Sequence, residues 1–413
     1  MFRLVLLGSI VAGPAFASSP DPQSLVVKKD ELARAKNLVA QLGDSHFTIR
    51  EKADRELSAM GRKALQPLAV AAAESPDPEV RLRCRKLIPA ARADDFQARV
   101  DTFLADIDGK YHHSLPGLEM FFDATGKSAE ARKLFVELLK QEENRRLLSQ
   151  AEGNPDQLAT AVQNRAMELY NRQYGRTILP NGVMVSSQSV TGHKPTVLDV
   201  VTLLIADSRA PTGRTVRRTT TANPAYTMQI VQDFRNAAMG KGPEAEVIRR
   251  VVGKWLDTRV EPLDLYYGMN FLTNANQKDE ALRAARKLLA AKTAASLYRG
   301  MAMAILAKFD GKDAVPEILP YLSDETLCTT RFVSANERYP ILMKDVALAT
   351  LVSLTAQKQT DYHFDPQGSP NGAVVNYASH WFKTEEDRKK GFEKWAKWAK
   401  ANPKQLEVKK PKK

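Results

Sequence analysis

The sequence lacks the short motifs that identify most enzyme classes. It contains no Gly-x-Ser-x-Gly nucleophile turn, no His-Glu-x-x-His zinc motif, no Cys-x-x-Cys pair and no EF-hand loop. The tripeptide Gly126-Lys127-Ser128 ends like a phosphate-binding loop, but Phe121 stands where that loop needs its first glycine. We therefore interpret Ser128 as a helix cap, and the sequence predicts no catalytic residue, no metal ligand and no cofactor.

Cysteine is scarce. Cys84 and Cys328 are the two cysteines among 413 residues, and this excludes a small fold held together by a disulfide framework. Cys84 lies on the apolar stripe of a predicted helix, so we expect it to be a small core residue. Whether the two cysteines pair is left open, because an exported protein could form a disulfide.

Long apolar runs are absent after the first residues. Arg3 precedes an apolar run from Leu4 to Ala12, and Ala15-Phe16-Ala17 has the pattern of a signal-peptide cleavage site. The run is shorter than the roughly 20 apolar residues of a spanning helix, although an uncleaved anchor remains the alternative. We expect cleavage near Ala17 and an exported protein, periplasmic or extracellular, with no transmembrane segment in the mature chain.

The most informative feature that is present is a repeated apolar pattern. An aliphatic residue followed by arginine opens it at Ile49-Arg50 and again, 31 residues later, at Val80-Arg81. Apolar residues then recur every three or four positions, which are Ala53, Leu57 and Met60 in the first pattern and Cys84, Leu87 and Ile88 in the second. This spacing predicts two helices that each bury one face.

Helix stop and start signals frame these stripes. Gly61 follows the first stripe, where a left-handed residue often ends a helix. Asp77-Pro78-Glu79 precedes the second and supplies a capping side chain, a preset φ angle and an acid in the first turn. The predicted order is therefore a helix, a glycine turn, a second helix, and then a third helix that begins at an N-terminal cap.

The motif Pro76-Asp77-Pro78-Glu79-Val80-Arg81 resembles the Pro-Asp-x-Glu-Val-Arg sequence that introduces helical pairs in short bacterial HEAT-like repeats. Near the C-terminus, the segment from Gly311 to Val315 echoes the segment from Gly61 to Leu65. The resemblance implies an armadillo-type α-solenoid in a secreted bacterial protein, and it transfers no activity. We predict an all-α fold, an α-solenoid of HEAT-like helical pairs with an irregular helical middle region.

The predicted organisation has six parts. They are a signal peptide at 1–17, N-terminal helical pairs at 25–95, an irregular helical region with polar loops at 96–240, C-terminal helical pairs at 241–360, a loop and amphipathic helix at 361–404, and a basic tail at 405–413. In the middle region we expect a buried helix from Val197 to Ile205 and a small hairpin around Asn181-Gly182.

Two faces are predicted on C-terminal helices. One helix should bury Leu297, Met301, Ala304 and Ile305. The terminal helix carries an aromatic stripe, Phe392, Trp395 and Trp398, which we expect to dock on the protein's own core; contact with a membrane surface or a partner helix is the alternative.

The chain is basic, with a formal net charge of +13, and arginine is concentrated in an acid-free stretch. The candidate binding residues are Arg209, Arg214, Arg217 and Arg218. A second basic group, Lys409 to Lys413, lies in the tail. Guanidinium groups favour anions, so the partner would be a protein or an acidic envelope polymer, although solvated loop charge is the alternative. Export makes nucleic acid an unexpected partner.

The histidines form no persuasive metal site. His112 and His113 are adjacent and would point in different directions on a helix or strand. Asp361, His363 and Asp365 would share a face if extended, and we interpret them as an ordinary loop.

Two functions remain open. The favoured one is an exported, non-enzymatic helical-repeat scaffold that binds a protein or another macromolecule. The alternative is an envelope hydrolase or lyase with its site in the irregular middle region. A pocket that gathers His112, His113, His193 or His363 beside carboxylates would favour the enzyme.

Overall fold

The computed structural model describes residues 21–178, 184–186, 193–211, 222–334, 336–365 and 377–407. The structure is mostly helical, with 73% helix and 4% strand, in agreement with the predicted all-α class. The predicted signal peptide and the lysines of the tail lie outside the described residues. The chain divides into two compact units, one ending at Leu118 and the other beginning at Glu119.

The first unit contains four helices among its described residues: α1 (Lys29–Gln41), α2 (Phe47–Met60), α3 (Leu65–Glu74) and α4 (Pro78–Ala105). The two predicted stripes meet in one core, where Leu57 and Cys84 are almost fully buried. Helix α4 runs through residues 95 and 96, so the predicted boundary there falls inside a helix and differs from the division at Leu118.

In the pairs Ile49-Arg50 and Val80-Arg81, the aliphatic residues differ in exposure, whereas the arginines make the same kind of contact. Val80 is 6% exposed but Ile49 is 37% exposed, so the first stripe starts at Ala53. Arg50 Nη1 donates to the carbonyls of Asp44 and Ser45, at 2.7 and 3.2 Å. Arg81 Nη1 donates to the carbonyls of Ser75 and Pro76, at 2.7 and 3.0 Å. Each arginine thus holds the turn that precedes its own helix.

Fourteen further helices follow in the described part of the chain. They are α5 (Leu118–Thr125), α6 (Ala129–Leu139), α7 (Glu142–Ala151), α8 (Pro155–Gln173), α9 (Val197–Arg209), α10 (Pro224–Ile230), α11 (Gln232–Met239), α12 (Pro243–Asp257), α13 (Pro262–Asn274), α14 (Lys278–Ala290), α15 (Ser296–Asp310), α16 (Val315–Ile318), α17 (Met343–Leu354) and α18 (Glu385–Ala401).

Helix α9 is buried in the second unit, as its apolar sequence predicts, and it extends four residues beyond Ile205. It also buries two acids that the apolar pattern did not reveal. Asp199 closes a capping box with Thr196 and accepts from Arg165 Nη2 at 2.6 Å. Asp207 accepts from Trp255 Nε1 at 2.8 Å and from Arg259 Nη1 at 3.0 Å. Buried carboxylates paired in this way tie distant helices to α9.

Ser128 caps α6, as predicted, and its Oγ accepts from the Ala131 backbone N–H at 3.2 Å. The predicted inner face of α15 is only partly correct. Ala304 and Ile305 are buried, but Leu297 and Met301 are half-exposed. Ala302, Met303 and Leu306 are fully buried instead, because the helix is covered on more than one side.

In the described part of the chain, two antiparallel hairpins interrupt the helices. The strands β1 (Arg176–Ile178) and β2 (Met184–Ser186) pair on either side of Asn181-Gly182, where a hairpin was predicted; the turn itself lies outside the described residues. The strands β3 (Leu327–Phe332) and β4 (Arg338–Leu342) form a second hairpin, which was not predicted, inside the region predicted to contain the C-terminal helical pairs. Each strand buries one residue, Cys328 in β3 and Ile341 in β4, so the strands lack the alternating apolar pattern that would have indicated them.

The aromatic stripe of α18 docks on the protein's own core. Trp395 is buried and its ring lies 5.1 Å from that of Trp398, centroid to centroid. A Cβ on Gly391 would come within 2.6 Å of the Tyr362 carbonyl oxygen, so a glycine is needed where α18 crosses Tyr362. Phe392 is half-buried.

A candidate binding surface formed by tyrosines

Six of the eleven tyrosines form one continuous chain of ring contacts in the second unit. We call this surface the tyrosine row; in spatial order it consists of Tyr174, Tyr170, Tyr226, Tyr267, Tyr266 and Tyr298. Successive ring centroids are 4.8, 6.2, 5.9, 5.2 and 4.4 Å apart. Such distances are within the range of favourable aromatic contacts.

Four helices supply the row. Tyr170 lies on α8 and Tyr174 follows four residues later at the end of that helix, so both rings share one face. Tyr226 comes from α10 and Tyr298 from α15. On α13, Tyr267 contacts Tyr226 and its neighbour Tyr266 contacts Tyr298, so this adjacent pair joins the two halves of the row.

Hydrogen bonds from Asn223 and Gln229 connect α10 to α13. Asn223 caps α10 through its Oδ1, and its Nδ2 donates to Asp264 Oδ1 of α13 at 2.9 Å. Asn223 and Asp264 are both almost fully buried. Further along, Gln229 Nε2 donates to the Tyr267 carbonyl at 3.1 Å. These bonds position the tyrosines of α10 and α13 against each other.

The opposite face of α13 packs tightly. A Cβ on Gly268 would lie 2.6 Å from Leu256 Cδ1 and 3.2 Å from the Trp255 ring. The close approach of α13 to α12 therefore fixes the helix on which Tyr266 and Tyr267 are carried.

The row is accessible. Tyr174 is 45% exposed, and the other five tyrosines are half-buried. The angles between successive rings range from 27° to 59°, so neighbouring rings are inclined to each other rather than lying in one plane. The row therefore offers a partner partly exposed aromatic rings that are inclined to one another.

Three phenols of the row have raised pKa values. A hydrogen bond with Tyr174, followed by burial, raises the pKa of Tyr226. Burial raises the pKa of Tyr266 and of Tyr267, and neighbouring phenols add to both shifts. The side chains that raise these three pKa values are all tyrosines. At physiological pH the phenols of Tyr226, Tyr266 and Tyr267 are thus uncharged groups that can donate and accept hydrogen bonds.

Sequence reasoning did not find this surface. Two signals were present, the four-residue spacing of Tyr170 and Tyr174 and the adjacent pair Tyr266-Tyr267. The contacts that join them link residues of different helices, such as Tyr170 with Tyr226, and these could not be anticipated without the fold.

The predicted arginine site is only partly visible. Arg209 is exposed at the last position of α9. Arg214, Arg217 and Arg218 lie outside the described residues, so the prediction that the four arginines act together stays a prediction.

A cleft in the first unit brings His112 and His113 beside carboxylates. Its volume is about 290 Å³, and its lining includes both histidines, Asp95 and Arg99. His113 is buried, and its Nε2 lies 2.9 Å from Oδ2 of the fully buried Asp106. Asp106 also accepts from the backbone N–H groups of Lys110 and Tyr111, so it closes the turn after α4.

The Asp361, His363 and Asp365 segment is not extended. Asp361 is in a short 3₁₀ helix and His363 has a left-handed backbone with φ of 59°. The two acids pair with different lysines: Asp361 with Lys394 at 3.5 Å and Asp365 with Lys383 at 2.7 Å. Within the part of the chain that the structure describes, no group of three or more acids, histidines or cysteines is placed to hold a metal ion.

No protein-family model, curated protein or solved structure matches this chain. In the described ranges, no helix is both long and apolar enough to cross a membrane. Cys84 and Cys328 are both buried and free.

Proposed function

We propose that the chain is an exported, non-enzymatic helical scaffold that binds a macromolecular partner through the tyrosine row. The observation that carries the proposal is the row itself: six accessible tyrosines from four helices in unbroken contact. The residues of the predicted signal peptide support export, and a protein is the favoured partner.

Tyrosine suits this role for a physical reason. Its ring offers a large, amphipathic contact area and has few rotatable bonds to immobilise. Tyrosines are accordingly enriched in interfaces and among the residues that contribute most to binding. In the row the rings already pack against each other, so part of the ordering cost is met before a partner arrives.

The proposed architecture is a solenoid of HEAT-like helical pairs, and three arginines support it. Arg50, Arg81 and Arg145 each stand fourth in their helix, in α2, α4 and α7. Each donates to the carbonyl of the residue six positions earlier, at 2.7, 2.7 and 2.9 Å. The same link at three helix starts is what a degenerate repeat would retain.

Glycine turns give independent support. Gly61 has φ and ψ of 53° and −127°, and Gly311 has 58° and −131°. Each ends a helix and begins a 3₁₀ turn, with a buried alanine at the fourth position, Ala64 or Ala314. The similarity between the two sequence segments is therefore also a similarity of backbone conformation.

A hydrolase remains the second candidate because of the cleft at His112 and His113. If it is a catalytic site, His113→Gln should abolish hydrolysis of an envelope substrate without lowering stability. If Asp106 and His113 only close the turn after α4, the variant should lose stability by about 1–3 kcal/mol, the cost of an unsatisfied buried group. The bonds from Asp106 to two backbone N–H groups favour the structural role.

Site-specific photo-crosslinking in the native cell tests the binding proposal. A photoreactive phenylalanine analogue would replace Tyr267 in the row or, as the matched control, Tyr339 in β4, which is also half-buried and lies outside the row. We expect a discrete adduct at position 267 that position 339 does not give. Equal labelling at both positions, or none at either, would rule out the row as the binding surface.

A further inference from the structure

We infer that the exposed lysines of α18 attach the protein to an anionic lipid bilayer. We call this surface the lysine face; it consists of Lys389, Lys390, Lys394, Lys397, Lys400 and, just after the helix, Lys404. No tyrosine of the row lies on α18, so the inference adds a second surface to the proposed function. Three observations support it: the concentration of charge, the orientation of α18 and the use of lysine alone.

Positive charge is concentrated in this part of the chain. Residues 389–413 contain ten lysines, two glutamates and no other charged residue, so they contribute +8 of the formal net charge of +13. All six lysines of the face are exposed. A local excess of one sign of charge creates a field that attracts an extended partner of the opposite sign.

Most of the charge on the lysine face is not neutralised within the protein. Lys390 pairs with Glu386 at 2.7 Å, and Lys394 pairs with Asp361 at 3.5 Å. For the other four lysines, no carboxylate of the described residues lies within 4.0 Å of the amino group. These four unpaired lysines can therefore meet anionic groups outside the chain.

Helix α18 is held with its lysines outward. Its five lysines fall within about 140° of arc at 100° per residue, and they extend over about 17 Å of the helix axis. Glu386 and Glu393 share this arc, so lysines outnumber acids five to two. Arg388, Gly391 and Trp395 are buried nearly opposite. Because the buried side is fixed to the core, the arc that carries the lysines faces solvent.

Every cation of the lysine face is a lysine. Arginine, with its rigid fork, is suited to two-point recognition of an individual carboxylate, sulfate or phosphate group. Lysine carries a compact charge on a long flexible stem, so it can approach a negative surface without a fixed geometry. Clusters of four to eight basic residues on an amphipathic helix are typical of binding to anionic lipid headgroups. This composition favours a bilayer surface over an acidic polymer.

The contact should be electrostatic. An interfacial helix usually buries its apolar side among the lipids. In α18 the protein's own core occupies that side, where Trp395 is 4% exposed. Each lysine close to an anionic surface should strengthen binding roughly fivefold, and salt should weaken the attraction because the charges are exposed. Attachment should therefore require anionic lipid and be reversed by salt.

Vesicle flotation of the full chain tests the inference. One set of vesicles contains phosphatidylcholine with about one third phosphatidylglycerol, and the other contains phosphatidylcholine alone. We expect binding to the anionic vesicles and at least about tenfold weaker binding to the neutral ones. Raising the salt concentration from about 0.15 M to about 1 M should release the protein.

Variants matched in charge then locate the contact. The first variant replaces the four unpaired lysines: Lys389→Gln, Lys397→Gln, Lys400→Gln and Lys404→Gln. The control variant replaces four exposed lysines of other helices: Lys52→Gln, Lys86→Gln, Lys133→Gln and Lys278→Gln. The first should bind anionic vesicles at least about tenfold more weakly than the parent chain, and the control within about threefold of it. Circular dichroism of both should match that of the parent chain, because all eight side chains are exposed.

Several outcomes would overturn the inference: no binding to anionic vesicles, equal binding to neutral vesicles, binding that survives high salt, or equal binding by the two variants. Heparin tests the acidic-polymer alternative. If the four lysines bind heparin but no vesicles, the partner is a polymer and the inference fails. It also fails if a chain that lacks residues 409–413 loses vesicle binding while the first variant keeps it. Crosslinking at position 267 reports on the tyrosine row alone, so the two proposals stand or fall separately.

Discussion

Arg388 of α18 and Asp345 of α17 form a buried, two-point ion pair. Arg388 Nε lies 3.0 Å from Asp345 Oδ1, and Nη2 lies 3.1 Å from Oδ2. Nη2 also donates to the Pro340 carbonyl at 3.1 Å, so one side chain joins α18, α17 and β4. The terminal helix is therefore attached by a charged contact as well as by its aromatic stripe.

Removing one member of this pair should be costly. Arg388→Ala leaves the carboxylate of Asp345 buried without its partner, and it should lower the free energy of unfolding by about 3–5 kcal/mol. Urea unfolding measures the effect. Lys390→Ala is the control, because Lys390 is exposed, pairs with Glu386 on the surface and should contribute less than about 1 kcal/mol. Similar losses in the two variants would contradict the structural role of Arg388.

The second prediction concerns which face of α2 is buried. Leu57 is 1% exposed, so Leu57→Ala should cost about 2–5 kcal/mol. Its neighbour Glu56 pairs with Arg34 at 2.9 Å on the surface, so Glu56→Ala should cost no more than about 1 kcal/mol. Chemical denaturation of both variants checks the difference. Equal effects would contradict the placement of Leu57 on the buried face of α2 and of Glu56 on the exposed face.

Gly311 is a position where the effect of a positive φ on stability can be measured without a steric clash. Its φ is 58°, and no atom lies within 4 Å of the position that a Cβ would take, so a side chain there meets strain without a clash. Gly311→Ala should therefore destabilise the chain by about 1–3 kcal/mol. Ala307, the residue whose carbonyl accepts the Gly311 N–H, offers a comparison: Ala307→Gly should cost about 1 kcal/mol or less. A neutral Gly311→Ala would argue against the left-handed cap.

His380 should make stability depend on pH. Burial lowers its pKa from 6.5 to about 4, and its ring packs edge-on against Phe364. The unfolded chain thus binds a proton between pH 6.5 and 4 that the folded chain does not. Neutral His380 therefore contributes to the free energy of unfolding. The contribution is fully present above pH 6.5, and about 3 kcal/mol of it should be lost as the pH falls to 4.

The measurement for His380 is the difference between two chains. Urea unfolding of the parent chain and of His380→Gln, at intervals from pH 7 to 4, separates this group from other titrating residues. The parent chain should lose more stability than the variant over that range. Parallel curves would show that His380 is not buried in its neutral form.

The two cysteines should be unreactive in the folded chain. Burial raises the pKa of Cys84 to about 11 and that of Cys328 to about 12, so little thiolate exists at pH 8. Ellman's reagent should modify neither thiol in native protein and both in denaturant. A rapid reaction of one thiol in native protein, or the absence of free thiols in denaturant, would contradict the buried, unpaired arrangement.

Local sequence determined much of the secondary structure. Ser128 predicted the start of α6, Gly61 the end of α2, and the apolar run from Val197 the buried helix α9. These signals act through hydrogen bonds and sterics within a few residues, so they hold before any tertiary contact forms. The spacing that placed Leu57 and Cys84 in the core succeeded for the same reason.

Tertiary structure decided what the helices present to each other and to solvent. Ile49 fits the apolar pattern yet is exposed, whereas Asp207 and Arg388 interrupt apolar patterns yet are buried by partners 43 to 52 positions away. The tyrosine row likewise joins residues from four helices. Local periodicity carries no information about which helices will meet, because burial and pairing are properties of the packed chain. The sequence by itself thus determined the helices and their caps, and packing alone decided the surface on which the proposed function rests.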